Sequence, residues 1–271
     1  MLDDKQLLEW NKRGWIPGPK EDEKEFKARV EKLMQGPSMV FDFPLSLDDW
    51  KESHQKTQKL FDFSIDWMGA FYSNKQLPFW QGAAFWMAAD VPLIQLRLAF
   101  RKGKYTKLYS RTEVLAHEAV HAARMAFTEP RFEEMIAYSS SKSLFRQWFG
   151  SFFRYSWESY IFIGCLLISI GVQALELWVG STKWLTALII LPWVTSPYGC
   201  ARLFYNKYLF SRCKKRIKKT LLDPSKALAV MMRLTDKEIA IFSSMSSEKI
   251  SAYAKNDPSL RWRLLRAAYF L

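Results

Sequence analysis

The chain has 271 residues, 40 Lys and Arg against 27 Asp and Glu, and a net charge of +13. Apolar residues make up 49% and aromatics 16%, which excludes a disordered chain and is enough for a buried core. Three Cys exclude a disulfide framework, and a mean hydropathy of -0.17 excludes a chain of membrane helices throughout; the charge leaves nucleic acid, an anionic membrane surface and acidic partners open.

The first residues, Met1-Leu2-Asp3-Asp4, are acidic and no apolar stretch follows, so a cytosolic N-terminus without a secretory signal is expected. Residues 3–10 and 20–35 read as charged amphipathic helices, separated by Gly14, Pro17, Gly18 and Pro19. Ser46 and Asp49 have capping-box spacing, which predicts a helix running to about Phe61. From about Ser64 aromatics crowd together through Trp67, Phe71, Tyr72, Phe79, Trp80, Phe85 and Trp86, as in short strands and turns.

Residues 92–101 alternate Ile94, Leu96, Leu98 and Phe100 with Gln95, Arg97, Ala99 and Arg101. That period of two predicts a half-buried strand, with Pro92 at its start, where a missing N–H is tolerated. Lys102-Gly103-Lys104 makes a turn. Ser110 and Glu113 then predict a capped helix over about 111–127, broken at 128–130, and Pro130 suits the start of a second helix.

Within the first of these helices lies His117-Glu118-Ala119-Val120-His121, an H-E-x-x-H pattern. Two His at i and i+4 project from one helix face, the spacing two imidazoles need to grip one tetrahedral Zn²⁺. Glu118 is placed to take a proton from metal-bound water. A third protein ligand is required, and a catalytic site keeps one position open. His54, the only other His, falls in a charged helix and reads as a surface residue. Cys165 and Cys200 lie in apolar stretches and read as packing residues; Cys213 lies among cations and reads as a bystander. Carboxylates remain: Glu133, Glu134 and, in the turn, Glu129. Helix spacing favours Glu134, whose face also carries Ala137 and Tyr138.

His117 to His121, followed by Phe132-Glu133-Glu134-Met135-Ile136-Ala137-Tyr138, resembles the gluzincin metalloproteases, and the short gap resembles the compact minigluzincin forms. The likeness covers about residues 92–140. It implies that His117, His121 and Glu134 bind zinc and that Glu118 is the general base. It also implies a zincin-like core in which 92–101 is an edge strand beside the cleft, where a peptide substrate adds as a further strand. Such enzymes often stabilise the oxyanion with a His or Tyr. No His is spare, so Tyr138, Tyr155 and Arg124 are the candidates, and Tyr138 is carried forward as catalytic. The tail Asp223-Pro224, Asp257-Pro258 and Arg263-Leu264 resembles, more faintly, the M48 group of integral-membrane proteases. In that group a hairpin lies between the motif and the Glu ligand, whereas here the apolar segments follow both.

Those segments are residues 159–175 and 184–201, with 17 and 18 uncharged residues. Each is just long enough to span a bilayer. Trp157, Tyr160, Trp178 and Trp184 flank them as interfacial aromatics do. A two-helix transmembrane hairpin is expected, its second arm kinked at Pro192 and Pro197. Behind it, residues 202–219 carry eight cations and no acidic residue, which suits an anchor on anionic lipid. Lys142, Arg146 and Arg154 precede the pair, so the positive-inside rule puts both termini in the cytoplasm, at the inner membrane if the cell is bacterial.

The expected whole is an α+β chain: an N-terminal helical region (1–62), a metalloprotease core (63–156), a membrane hairpin (157–202), and a basic juxtamembrane segment with a helical C-terminal region (203–271). The expected function is membrane-anchored, zinc-dependent peptide hydrolysis, with a peptide or protein substrate, the membrane as partner and no nucleic acid. A catalytically inactive zinc-binding scaffold and a basic nucleic-acid-binding protein are the alternatives.

Overall fold

The computed structural model describes residues 2–36, 43–77, 81–88, 91–105, 109–180 and 183–270. Phe79, Trp80 and the side chain of Trp184 lie outside these. The fold is a small sheet among many helices, consistent with the α+β expectation.

Three capped helices open the chain: α1 (Asp4–Lys12), α2 (Glu23–Met34) and α3 (Leu47–Phe61). Asp3 caps α1, and reciprocal boxes cap α2 (Asp22 with Glu25) and α3 (Ser46 with Asp49). Asp62 ends α3 in the left-handed region at φ 61°.

Strands β1 (Gly69–Tyr72), β2 (Ala83–Ala88) and β3 (Val91–Leu96) form one sheet in the order β1-β3-β2. β3 runs parallel to β1, with Tyr72 beside Leu96, and antiparallel to β2, with Trp86 beside Leu93. The strand expected over 92–101 therefore stops at Leu96, and it is central rather than an edge. Every residue of β3 is buried. Gln95 looked solvent-facing by alternation, but its amide donates to the carbonyls of Ser73 (3.1 Å) and Lys75 (2.8 Å) and accepts from Trp86 Nε1 (2.8 Å). A buried polar side chain with its bonds satisfied mimics the exposed half of an alternating pattern. Beyond Arg97 the chain coils into a 3₁₀ turn (Leu98–Lys102) that buries Phe100, and Gly103 closes it at φ +83°. Among the described residues β2 is an edge of this sheet.

A two-residue ladder, β4 (Lys104–Tyr105) with β5 (Tyr109–Ser110), leads into α4 (Arg111–Ala123). Ser110 accepts from the Glu113 amide at 3.2 Å. Glu113 does not complete the box: its carboxylate accepts from the Lys142 amide (2.6 Å) and pairs with Arg146. Helix α5 (Pro130–Tyr138) follows a turn in which Thr128 takes φ 51°. Leu115, Ala119, Val120, Ala122 and Ala123 are buried on α4, facing α3 and α5, and small side chains let these helices approach closely.

After the short α6 (Leu144–Phe149) comes α7 (Ser156–Val179). Its residues Trp157–Val179 form the one described helix long and apolar enough to cross a membrane, with a mean hydropathy of 1.9 over a window only 11% buried. The second apolar segment is not a single helix. It forms α8 (Lys183–Ile189) and the start of α9 (Leu191–Thr220), interrupted at Ile190. Pro192 sits in the first turn of α9, where its missing N–H costs nothing, and Pro197 is accommodated inside the helix. Both α8 and α9 pack against α7.

The basic stretch 202–219 belongs to α9, and it is amphipathic. Leu203, Asn206, Phe210, Cys213 and Ile217 are buried at helical spacing, while Lys215, Lys218 and Lys219 face outward. That buried face packs on α5 and on α10 (Ala227–Met232), α11 (Asp236–Phe242) and α12 (Ser247–Asn256). Helix α13 (Leu260–Leu265), capped by Ser259, packs on α1. Buried Arg233 donates to Asn11 Oδ1 (2.7 Å) and to the carbonyls of Phe61 (2.9 Å) and Ala229 (2.6 Å), joining both ends of the chain.

Candidate metal centre

Helices α4 and α5 pack side by side and turn one face of each inward at the same height. His117 Nε2 and His121 Nε2 stand 3.2 Å apart. Glu134 reaches across from α5, with Oε2 3.5 Å from His117 Nε2 and Oε1 3.3 Å from His121 Nε2. Donors around a tetrahedral zinc lie about 2.0–2.1 Å from the ion, which puts them roughly 3.3 Å from one another. The three donors therefore fit such an ion, with the fourth direction left for water or substrate. Among the described residues they are the one group of His, Cys, Asp and Glu whose ligand atoms converge within 4.8 Å.

Glu133 lies on the other side of the His121 ring. Its Oε1 is 2.6 Å from Nδ1, which in the neutral ring, the form that can ligate a metal, favours the proton on Nδ1 and turns the Nε2 lone pair toward Glu134 and His117. Arg124 Nε is 3.7 Å from Glu133 Oε2. The same guanidinium donates through Nη1 to the carbonyls of Met232 (2.6 Å) and Leu234 (3.0 Å). Arg124 is thus anchored between Glu133 and the C-terminal helices, and it lines neither cavity beside the donors, so it is not placed as an oxyanion donor. Glu129 caps elsewhere: it accepts from the Asp236 amide at 2.7 Å.

The electrostatics follow from crowding four ionisable groups out of water. Burial, then the neighbouring His121, pushes His117 down to about 4, so its ring is neutral at pH 7. Burial pushes Glu118 up to about 7. Burial opposes charge on His121 as well, but its bonds to Glu133 and Glu134 outweigh this and hold its pKa well above the ordinary value. Burial raises Glu134 less than its bond to His121 and the histidine charges lower it. A cluster that gathers positive charge between two carboxylates has the electrostatics of a cation site.

Two cavities flank the donors. One, of about 440 Å³, is lined by His117 and Glu118 and by Tyr138, whose ring packs edge-on to His117 at 4.5 Å. Gln81, Gly82 and Ala83 at the start of β2 form one wall, and Tyr160 and Ile163 of α7 another. The second, of about 390 Å³, is lined by His121, Glu133, Glu134, Arg154 and Tyr155. Tyr138 and Tyr155 therefore stand on opposite sides of the donors.

His54 is not an idle surface residue: Nε2 bonds the Ile65 carbonyl at 2.6 Å and the ring stacks on Trp50. Cys213 is fully buried and its thiol is pushed up to about 12 by burial, so it is unreactive. The Glu113–Arg146 pair on the cavity wall was not anticipated. The one sequence signal was the capping position of Glu113, which pointed to a local bond instead. No family model, curated protein or solved structure matches the chain.

Proposed function

We propose that the chain is a membrane-anchored zinc metallopeptidase of gluzincin type. The observation that carries the reading is the set of donor separations, 3.2, 3.3 and 3.5 Å among His117, His121 and Glu134, with Glu118 on the wall of the adjoining cavity. A zinc ion held by these residues supplies an acidified water and an electrophile for a peptide carbonyl.

The chain's own residues do the rest. Glu133 fixes the His121 tautomer and ring angle. Glu118, with its pKa raised into the neutral range, accepts a proton at its carboxylate as water attacks and returns it to the leaving amine. Tyr138, edge-on to His117 and lining the cavity, is placed to donate its phenol to a developing oxyanion. The edge strand β2 beside the cavity suits main-chain pairing with an extended peptide.

Membrane anchorage is supported by the open apolar surface of α7 and its length, about 35 Å for 23 residues. The cations on α9 and the positive-inside rule support a site on the cytoplasmic face.

The test is metal content and hydrolysis of casein by the full chain in detergent. Wild type binds one zinc and cleaves. His117→Ala and Glu134→Ala lose zinc, and Glu118→Gln keeps zinc but loses cleavage. Cleavage by Glu118→Gln at the parental rate would sink the mechanism. Stoichiometric zinc without hydrolysis of any peptide would favour a scaffold.

A further inference from the structure

Helix α6 is amphipathic in an inverted sense. Its polar residues face the protein: Arg146 pairs with Glu113, and Gln147 Nε2 donates to the Ser141 carbonyl at 2.7 Å. Its apolar residues face outward. Leu144 and Phe145 are 72% and 70% exposed, and Trp148 and Phe149 continue the same stripe at helical spacing. Phe145 and Phe149 stack on each other at 5.1 Å, and no residue of α6 is buried. Apolar surface gathered this way on a helix held by its polar side marks an interaction surface.

We infer that α6 lies in the headgroup layer of the bilayer that α7 is proposed to cross, its apolar side inserted among anionic lipids. The inference rests on the membrane reading of α7 and extends it to a separate element.

Three observations choose lipid as the occupant. The first is level. Arg202 on α9 bonds both oxygens of Glu158, at 2.8 Å each, in the first turn of α7, and Lys207 on α9 bonds the Gln147 carbonyl of α6. Five residues of helix rise about 8 Å, so α6 sits within a headgroup layer's depth of the point where α7 enters the apolar region. The second is composition. Tyr205 and Tyr208 are exposed on α9 at this same level, as in an interfacial aromatic belt. The third is charge. Lys215, Lys218 and Lys219 lie exposed further along α9, with no acidic residue between Arg202 and Lys219 to offset their pull on anionic headgroups.

The consequence reaches the proposed active site. Arg146, on the inner side of α6, lines the cavity beside His117 and Glu118, and Tyr160 of α7 lines it too. A seated α6 brings the cavity wall formed by Arg146, Tyr160 and Ile163 to the lipid surface. Polypeptide presented there, rather than free in solution, is then the class of substrate the cavity meets first.

The experiment is spin-label accessibility in the full chain, reconstituted in vesicles of phosphatidylcholine with a minority of phosphatidylglycerol. Cys165→Ser and Cys200→Ser remove the accessible thiols, and buried Cys213 stays unlabelled. Labels enter at Phe145→Cys on α6, Ile168→Cys on α7 and Leu47→Cys on α3, the last 86% exposed. The expected result is an oxygen-to-nickel accessibility ratio at 145 several-fold above that at 47 and approaching that at 168. A label at 145 that behaves like 47, while 168 still reads lipid, overturns the seating of α6 and leaves the anchor intact. A label at 145 shielded from both reagents means a protein covers α6, and also overturns it. A label at 168 in water removes the anchor and the seating together.

Discussion

Glu133 Oε1 meets His121 Nδ1 at 2.6 Å, on the face of the ring turned away from His117. The neighbouring carboxylate, Glu134, takes the other nitrogen of the same ring. Two consecutive glutamates thus grip one imidazole from both sides. Such an outer partner typically contributes about 10–100-fold to metal affinity. Glu133→Gln is expected to weaken zinc binding by roughly that factor, and Glu134→Ala to abolish it. Competition with a chromophoric chelator measures both. Equal losses would mean that both glutamates ligate.

Arg124 ties α4 and α5 to the C-terminal helices. It is fully buried, and its Nη1 serves two carbonyls at the end of α10 while Nε faces Glu133. Arg124→Met removes the donor and leaves those carbonyls and the carboxylate without it. A loss of about 2–4 kcal/mol is expected, since each buried polar group left unpaired costs about 1–3 kcal/mol. The fall in thermal midpoint of the detergent-solubilised chain reads it. Arg124→Lys is not a rescue, because one ammonium cannot span all three acceptors.

Cys213 supplies a pH prediction. Burial raises its thiol from 9.0 to about 12. The folded chain therefore holds this proton where the unfolded chain has released it. By linkage the contribution is fully present below pH 9, declines as pH rises, and levels off near 12. Unfolding measured at pH 8 and pH 11 is expected to show a smaller loss in Cys213→Ala than in wild type. The same burial predicts that maleimide labels Cys213 only after denaturation.

Much of this was legible because its signals are local. Ser46 with Asp49, Ser110 with Glu113, and Pro130 mark helix starts within three residues of themselves. His117, His121 and Glu134 sit on two such helices joined by a short turn, so their meeting follows from helix periodicity. What misled was non-local. The polar positions of β3 are polar because Gln95 bonds the Ser73 and Lys75 carbonyls, some twenty residues away, not because water lies there. Glu113 has capping spacing, yet it serves Arg146 across the cavity wall. The second apolar segment has the length of a membrane span, but its count of uncharged residues says nothing of the break at Ile190. The cations of 202–219 hide an apolar stripe that docks α9 on the C-terminal helices.

Gly150 offers the sharpest test of Tyr138. The residue ends α6, and a Cβ placed there would lie 2.6 Å from the Tyr138 ring and 2.5 Å from the Arg146 carbonyl. Neither contact is tolerable, and the ring is the part able to move. Gly150→Ala is therefore expected to push Tyr138 off the His117 edge, at an overpacking cost of about 1–3 kcal/mol. Zinc content should stay at the wild-type level, because the atoms such a Cβ meets first belong to Arg146 and Tyr138 and not to His117, His121 or Glu134. If Tyr138 steadies the oxyanion, kcat falls with little change in KM, and Tyr138→Phe reproduces the loss without the stability cost. If Tyr138 only packs against the histidine, Tyr138→Phe retains full activity, and the donor must be sought on the Tyr155 side of the site.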